Sequence, residues 1–349
     1  MEEKMMMKSV IDRQAEIANG EFPKIEVPRH KRYTICNLRG GIGKTTLSFN
    51  LSYLADDVLV VDTCPQGNLS YFFDNQYYAG GASSAKDLIL PYLIPGLGKG
   101  SHLASHVGAS NPFFEKKQTK YIRSSEDLYL LPSQLITAIN QASGLIGGQR
   151  EKAVSSILFS LRTEIERELR ELKRISKCLI DTSPFFAGAT QLAWHATDAL
   201  VVPVRTDNQS VKSLELLIQT LTSSTSEFRK HLTEQQQTPK IHMVVLTHCG
   251  WSTVAGARNI PNQQTQVYIK KVMDILSKHR GLLTTDSPEN HLLLLDDFLG
   301  SGRISSALSK PIELLSPGET KTIDRVRVSV NDSVTKCQNQ LKFISSLLW

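Results

Sequence analysis

Clustered cysteine is the first thing this sequence lacks. Its five thiols, Cys36, Cys64, Cys178, Cys249 and Cys337, are scattered along 349 residues with no Cys-x-x-Cys pair. That spacing excludes a disulfide framework and a thiolate zinc or iron–sulfur centre, and leaves the cysteines as small core residues. Long apolar runs are missing too, and nothing approaches the roughly eighteen consecutive apolar residues of a membrane span. Met1 to Met7 mixes acids with lysines and carries no apolar stretch of a signal peptide, so a soluble cytoplasmic protein is expected. Aromatics amount to only 7%, yet hydrophobic residues reach 40%, enough for one large core. Neither sign of charge dominates: 40 Lys and Arg against 34 Asp and Glu leave +6. This mild basic excess is compatible with nucleic-acid binding without being diagnostic of it.

What is present is a glycine loop, Arg39-Gly40-Gly41-Ile42-Gly43-Lys44-Thr45-Thr46. Before it, Tyr33 to Asn37 reads as a short buried strand; after it, Leu47, Leu51 and Leu54 fall on one face of a helix over Thr45 to Leu54. Strand, glycine turn and helix start are the context of a phosphate-binding loop. The common pattern also asks for Gly five positions before the Gly-Lys-Thr core, where this chain has Leu38, so the loop is a deviant form. The segment Gly40-Gly41-Ile42-Gly43 can turn its N–H groups onto phosphate oxygens, and the helix start adds its positive dipole end. Lys44 would reach the β- and γ-phosphates, the Thr45 hydroxyl would ligate Mg²⁺, and Thr46 would lie near the α-phosphate. ATP and Mg²⁺ are the expected cofactors.

Alternation of apolar strands with helices implies an α/β fold, a three-layer P-loop NTPase with a mostly parallel twisted sheet and helices on both faces. Lys44, Asp62 and Asp181 then fall at the carboxyl ends of strands, where such sheets bind ligands.

The order of motifs resembles the ParA/MinD family of deviant Walker A ATPases, whose loop reads Lys-Gly-Gly-x-Gly-Lys-Thr and usually follows an Asn, here Asn37. Val58 to Asp62 followed by Pro65-Gln66-Gly67-Asn68 resembles the family's Asp-x-Asp-Pro-Gln-Gly-Asn switch segment. Leu179-Ile180-Asp181-Thr182-Ser183-Pro184 resembles its Walker B strand and second switch, and Asp198 to Val204 the strand that follows. The likeness runs over roughly residues 30 to 345 and is to ParA/Soj-type partition proteins. It implies a homodimer formed on ATP, with Lys44, Arg39, Asp62 and Asp181 as catalytic groups and Thr45, Asp62 and Asp181 around the metal. It also implies nonspecific DNA as a ligand, a ParB-like adaptor as a partner and nucleoid association. In the family the strand end at Thr247 and His248 lies near the adenine, which makes these two candidate base contacts.

Two departures qualify this. The family's signature lysine, which crosses the dimer interface to the partner's ATP, is Arg39; arginine keeps the charge in a planar fork suited to phosphate oxygens. The second Asp of the first switch, associated with positioning the attacking water, is Cys64, and a thiol cannot replace a carboxylate there. Slow hydrolysis is therefore expected, with Asp62, Gln66 or a partner protein as substitutes. Two alternatives stay open: a MinD-like membrane-associated ATPase, and a nucleotide-sensing regulator or scaffold with little turnover.

Around this frame, residues 1–30 read as an extension too short for a helix-turn-helix domain, residues 31–349 as the ATPase domain, and about 74–121 as a variable insertion containing Gly80-Gly81. In the insertion, His102 and His106 lack a third metal ligand. Leu128 to Leu131 reads as a strand, and Ser155 to Lys177 as one amphipathic helix whose charge run is solvated. Candidate DNA contacts are Lys270, Lys271, Lys278, Arg280, Lys310, Lys321, Arg325, Arg327, and Arg303 in a glycine-rich turn; interleaved acids leave an ordinary solvated surface equally open. Val334, Cys337, Leu341, Ile344 and Leu348 share a helix face, read as a packed terminal helix rather than a membrane anchor, so membrane binding is not expected.

Overall fold

Successive residues of the strand Val58–Asp62 point to opposite sides of a sheet, Val58 and Val60 into one core and Leu59 and Val61 into another. Both faces are therefore covered. The computed structural model describes residues 2–77, 83–233, 236, 238–252, 254 and 259–349; Gly80 and Gly81 lie outside them. Its strands are β1 (Arg32–Ile35), β2 (Val58–Asp62), β3 (Ser105–His106), β4 (Lys120–Ile122), β5 (Lys177–Asp181), β6 (Ala199–Arg205), β7 (Lys240–Cys249), β8 (Leu292–Asp296), β9 (Thr320–Ile323) and β10 (Val326–Ser329). The helices are α1 (Glu2–Ala18), α2 (Lys44–Ala55), α3 (Asn68–Phe73), α4 (Ala85–Leu93), α5 (Leu131–Ser143), α6 (Gly148–Leu158), α7 (Ser160–Glu171), α8 (Ala189–Ala196), α9 (Asn208–Thr222), α10 (Gln263–Lys278), α11 (Leu299–Leu308) and α12 (Val334–Leu348).

The main sheet runs β3-β4-β2-β5-β1-β6-β7-β8, parallel except for β3, which pairs antiparallel with β4 at the edge. One face packs under α2, α3, α11 and α12; the other is covered by α4 to α8 at one end and by α9 and α10 at the other. A separate β9–β10 hairpin lies outside this sheet. The α/β architecture is as the sequence implies, and all five cysteines are buried.

Four sequence expectations are corrected. Leu128 to Leu131 is not a strand: Leu128, Leu131 and Leu135 are buried while Tyr129 and Leu130 are exposed, a helical spacing. There the Ser125 hydroxyl accepts a hydrogen bond from Asp127 N at 3.2 Å, opening a 3₁₀ turn that leads into α5. The strand that fills this place in the sheet is β4, three residues long and defined by its pairing with β2. Ser155 to Lys177 is not one helix, since the chain breaks at Phe159 between α6 and α7.

Nor is the charge run on α7 wholly solvated. Glu164 and Glu168 are buried; Glu164 accepts from the Tyr92 hydroxyl at 2.7 Å, and Glu168 from the backbone N–H of Leu103 at 3.0 Å. His102 sits on Glu168, and His106 bonds the Lys117 carbonyl. These acids tie down the segment before β3, and residues 83–121 hold α4 and the antiparallel edge strand. Finally, Arg303 lies in the interior of α11 rather than in a turn.

At the chain's end, Val334, Cys337, Leu341, Ile344 and Leu348 are all buried in the core with α1, α2 and β8 around them. The apolar face of α12 is thus occupied by the core. No helix among the described residues is long and apolar enough to cross a membrane.

Candidate nucleotide-binding site

The loop between β1 and α2 turns where two glycines take left-handed backbone, Gly41 at φ 70° and Gly43 at φ 90°. A side chain at either would be strained. Gly40 does not share this conformation; it meets only Pro184 Cβ at 4.0 Å. Helix α2 then begins at Lys44 with Gly43 as its N-cap and no side chain capping it. Its first N–H groups are left for an external acceptor, and the dipole makes an anion the natural one.

Charge gathers behind this turn. The Lys44 ammonium folds back onto the Arg39 carbonyl at 2.6 Å and is largely buried, which lowers its pKa despite the nearby Asp181 charge. Asp181, at the end of β5, accepts from the Thr45 hydroxyl at 3.0 Å and from the Ser48 hydroxyl at 2.6 Å. Asp62 is its register partner on β2. Its oxygens are held by Cys64 N at 3.0 Å, Ser70 N at 2.8 Å and the Ser70 hydroxyl at 2.8 Å. Burial pushes both carboxyls well above the ordinary carboxylate range, and for Asp62 the neighbouring Asp181 charge adds to it, against the hydrogen bonds that favour the ions. Two buried acids at adjacent strand ends, next to a hydroxyl, form a donor set that a divalent cation would neutralise.

Arg39 points elsewhere. Its guanidinium pairs with Asp207 and donates to the Ser210 hydroxyl at 2.8 Å. Asp207 is the N-cap of α9, accepting from Ser210 N at 2.8 Å, and these bonds hold its carboxyl below the ordinary value although burial alone would raise it. Cys64 is buried, and burial together with the Asp62 and Asp181 charges pushes its thiol up to about 12. It stays protonated at neutral pH and cannot act as a base. Gln66 is exposed, bonded to Asn68.

Beyond the loop opens a cavity of about 750 Å³. Gly41, Gly43 and Thr46 line one side, and Thr247, His248 and Asp297 line another. Ile42 is buried, its carbonyl accepting from the Thr247 hydroxyl at 3.3 Å. His248, one residue before the end of β7, takes a left-handed conformation, φ 57°, and partial burial keeps its imidazole below the usual pKa. Arg303 lines this cavity as well, which takes it out of the candidate outer basic surface. Of the other cations in that group, Lys310 and Lys321 pair with Glu319, and Lys271 bonds Asn208.

Sequence reasoning brings Lys44, Thr45, Asp62 and Asp181 to one place, and the structure assembles them there. It missed Ser48, Ser70 and Asp207. Ser48 lies one helical turn beyond Lys44 and was readable from that spacing; Asp207, 168 residues from Arg39, carries no local signal.

A family model described as an AAA domain matches residues 30–234. The chain belongs to that family. Among solved structures, the ATP complex of a Cyanothece McdA variant superposes with a TM-score of 0.53 at 20% identity, covering 81% of this chain and 88% of that one. A Borrelia burgdorferi B31 protein described as a putative plasmid partition protein, bound to AMPPNP, gives 0.52 at 15% identity, covering 91% and 98%. At these identities the likeness shows a shared fold, an α/β architecture with a mostly parallel sheet and helices on both faces. An uncharacterized protein of Methanocaldococcus jannaschii is 25% identical over 194 residues, 54% of this chain. The match spans 64% of that relative's length.

Proposed function

We propose that this protein is a ParA-like ATPase that dimerises on Mg·ATP, binds DNA nonspecifically and serves the partition or positioning of a replicon with a ParB-like adaptor. The observation that carries the nucleotide part is the uncapped start of α2 facing the cavity, with Lys44, Thr45, Asp62 and Asp181 gathered behind it. Lys44 would exchange the Arg39 carbonyl for phosphate oxygens. Thr45, Asp181 and Asp62 would hold Mg²⁺ directly or through water, and the ion would neutralise phosphate charge.

The dimer part rests on Arg39, the first loop residue. In the monomer its guanidinium is held in cis by Asp207; in the dimer it would release Asp207 and reach the partner's phosphates. Sedimentation with a nonhydrolysable ATP analogue should give dimers for the wild type and monomers for Arg39→Ala, with ADP binding retained by both. Asp207→Asn keeps an N-cap residue while removing the latch charge, and should dimerise at a lower analogue concentration. A wild type that stays monomeric would sink the dimer reading.

Slow turnover is the second element, supported by the protonated, buried Cys64. It also supports the reading in which ATP-driven dimerisation itself is the output of a regulator or scaffold. Cys64→Asp should raise the hydrolysis rate at least about tenfold, given what single orienting groups contribute. Fast wild-type hydrolysis that the substitution leaves unaltered would refute it. DNA retention that needs the ATP analogue would support the partition role over a membrane-positioning one.

A further inference from the structure

The β9–β10 hairpin is a two-stranded ribbon outside the main sheet, and such ribbons are marginal alone. Its base is secured: Val330 N bonds Glu319 O at 2.8 Å, Gly318 N bonds Val330 O at 3.1 Å, and Lys310 pairs with Glu319. The hairpin also lies hard against α11, where a Cβ on Gly300 would collide with the Ser329 carbonyl. The turn takes left-handed backbone at two residues with side chains, Asp324 (φ 48°) and Arg325 (φ 67°). A ribbon tied this firmly at its base needs something for its faces to do.

Pairing of Ile323 with Val326 and of Lys321 with Val328 sets one face of the ribbon. Ile323, Val326 and Val328 line the 750 Å³ cavity, opposite Gly41, Gly43 and Thr46. Thr322 and Arg327 fall on the other face. Val326 remains 59% exposed, an apolar side chain at the edge of the cavity. The cavity is continuous with the loop glycines, its size is that of a small-ligand site, and its hairpin wall is aliphatic except for Asp324 at the turn.

We infer that the β9–β10 hairpin is the outer wall of the nucleoside half of the site: Ile323, Val326 and Val328 cover the base and sugar of a nucleotide whose phosphates lie on the loop from Gly41 to Thr46. This rests on the nucleotide reading proposed above. Val326 becomes buried when the nucleoside is present, so nucleotide affinity depends on the hairpin while phosphate affinity does not.

Isothermal titration with ATP, ADP and inorganic tripolyphosphate separates the two halves. Val326→Asn should weaken ATP and ADP alike by about tenfold and leave tripolyphosphate binding unchanged; Thr322→Ala, on the opposite face, should alter none of the three. Amide exchange over residues 320–329 should slow on ADP and not on tripolyphosphate. Wild-type ATP affinity in Val326→Asn, or an equal loss for tripolyphosphate, or no protection of the hairpin by ADP, would overturn the inference. A wild type that binds tripolyphosphate and ATP with equal affinity would overturn it too. Failure of the wild type to bind any of the three would instead sink the nucleotide reading itself.

Discussion

At the amino end of the sheet Arg32 is buried between Glu166 and Asp198, at 2.5 and 2.7 Å, while at the carboxyl end Asp62 and Asp181 are buried side by side on adjacent strands. Around Arg32 the compensation is complete enough that the carboxylates hold the guanidinium above its ordinary pKa against the burial that would lower it. His242 and His291 nearby are buried as neutral imidazoles bonded to backbone carbonyls. At the other end Lys44 turns to a backbone carbonyl, and burial holds both carboxyls above their usual range. One end is balanced in charge by the chain's own residues, although Arg32 Nε and His30 Nε2 are buried there without a hydrogen bond. The other is left in a state that a bound cation and phosphate would relieve, as functional sites often are at the expense of stability.

The largest test of this contrast is Arg32→Ala. Removing the cation leaves Asp198 and the half-exposed Glu166 to Arg162 alone and should cost about 2–3 kcal/mol in denaturant unfolding, with nucleotide affinity unchanged. A loss below about 1 kcal/mol, the level of a surface pair, would erase the distinction between the two ends.

The same contrast predicts opposite pH slopes. Burial pushes His242 down to about 3 from an ordinary 6.5. The unfolded chain therefore takes up the proton first, and stability falls as pH drops below 6.5. Between pH 6.5 and 5 the wild type should lose about 2 kcal/mol that His242→Gln does not. Parallel pH profiles for the two proteins in urea would contradict it.

Asp181 runs the other way and by less. Its folded-state pKa is raised, so the ionised form is a burden at high pH that lightens as pH falls through that value toward the unfolded one. Without nucleotide, Asp181→Asn should be more stable than the wild type by about 1–2 kcal/mol at pH 8, since the Thr45 and Ser48 hydroxyls can rotate to accept from the amide. The gain should shrink by pH 5. A variant less stable than the wild type at both pH values would show that the carboxylate is already compensated.

Much of the carboxyl end was legible in the sequence because its signals are local. The glycine loop, the helix face of Leu47 and Leu51, and the apolar runs ending at Asp62 and Asp181 each need only a few consecutive residues. What escaped depends on partners far along the chain. Strand β4 is three residues whose identity as a strand comes from pairing with β2. Glu164 and Glu168 look like surface acids until the segment from Tyr92 to Ala104 is laid over them. The Asp207 latch on Arg39 and the hairpin over the cavity belong to the same class. The amino end, built mainly from such distant pairs, left little trace in the sequence.

The central claim is that the carboxyl end is completed by Mg²⁺ and nucleotide together. Isothermal titration of the nucleotide-free protein with ATP, in Mg²⁺ and in EDTA at pH 8, tests it directly. The wild type should bind ATP about tenfold or more tightly with Mg²⁺ present, and Asp181→Asn should lose that dependence. Equal ATP affinity in Mg²⁺ and EDTA for the wild type would contradict the account.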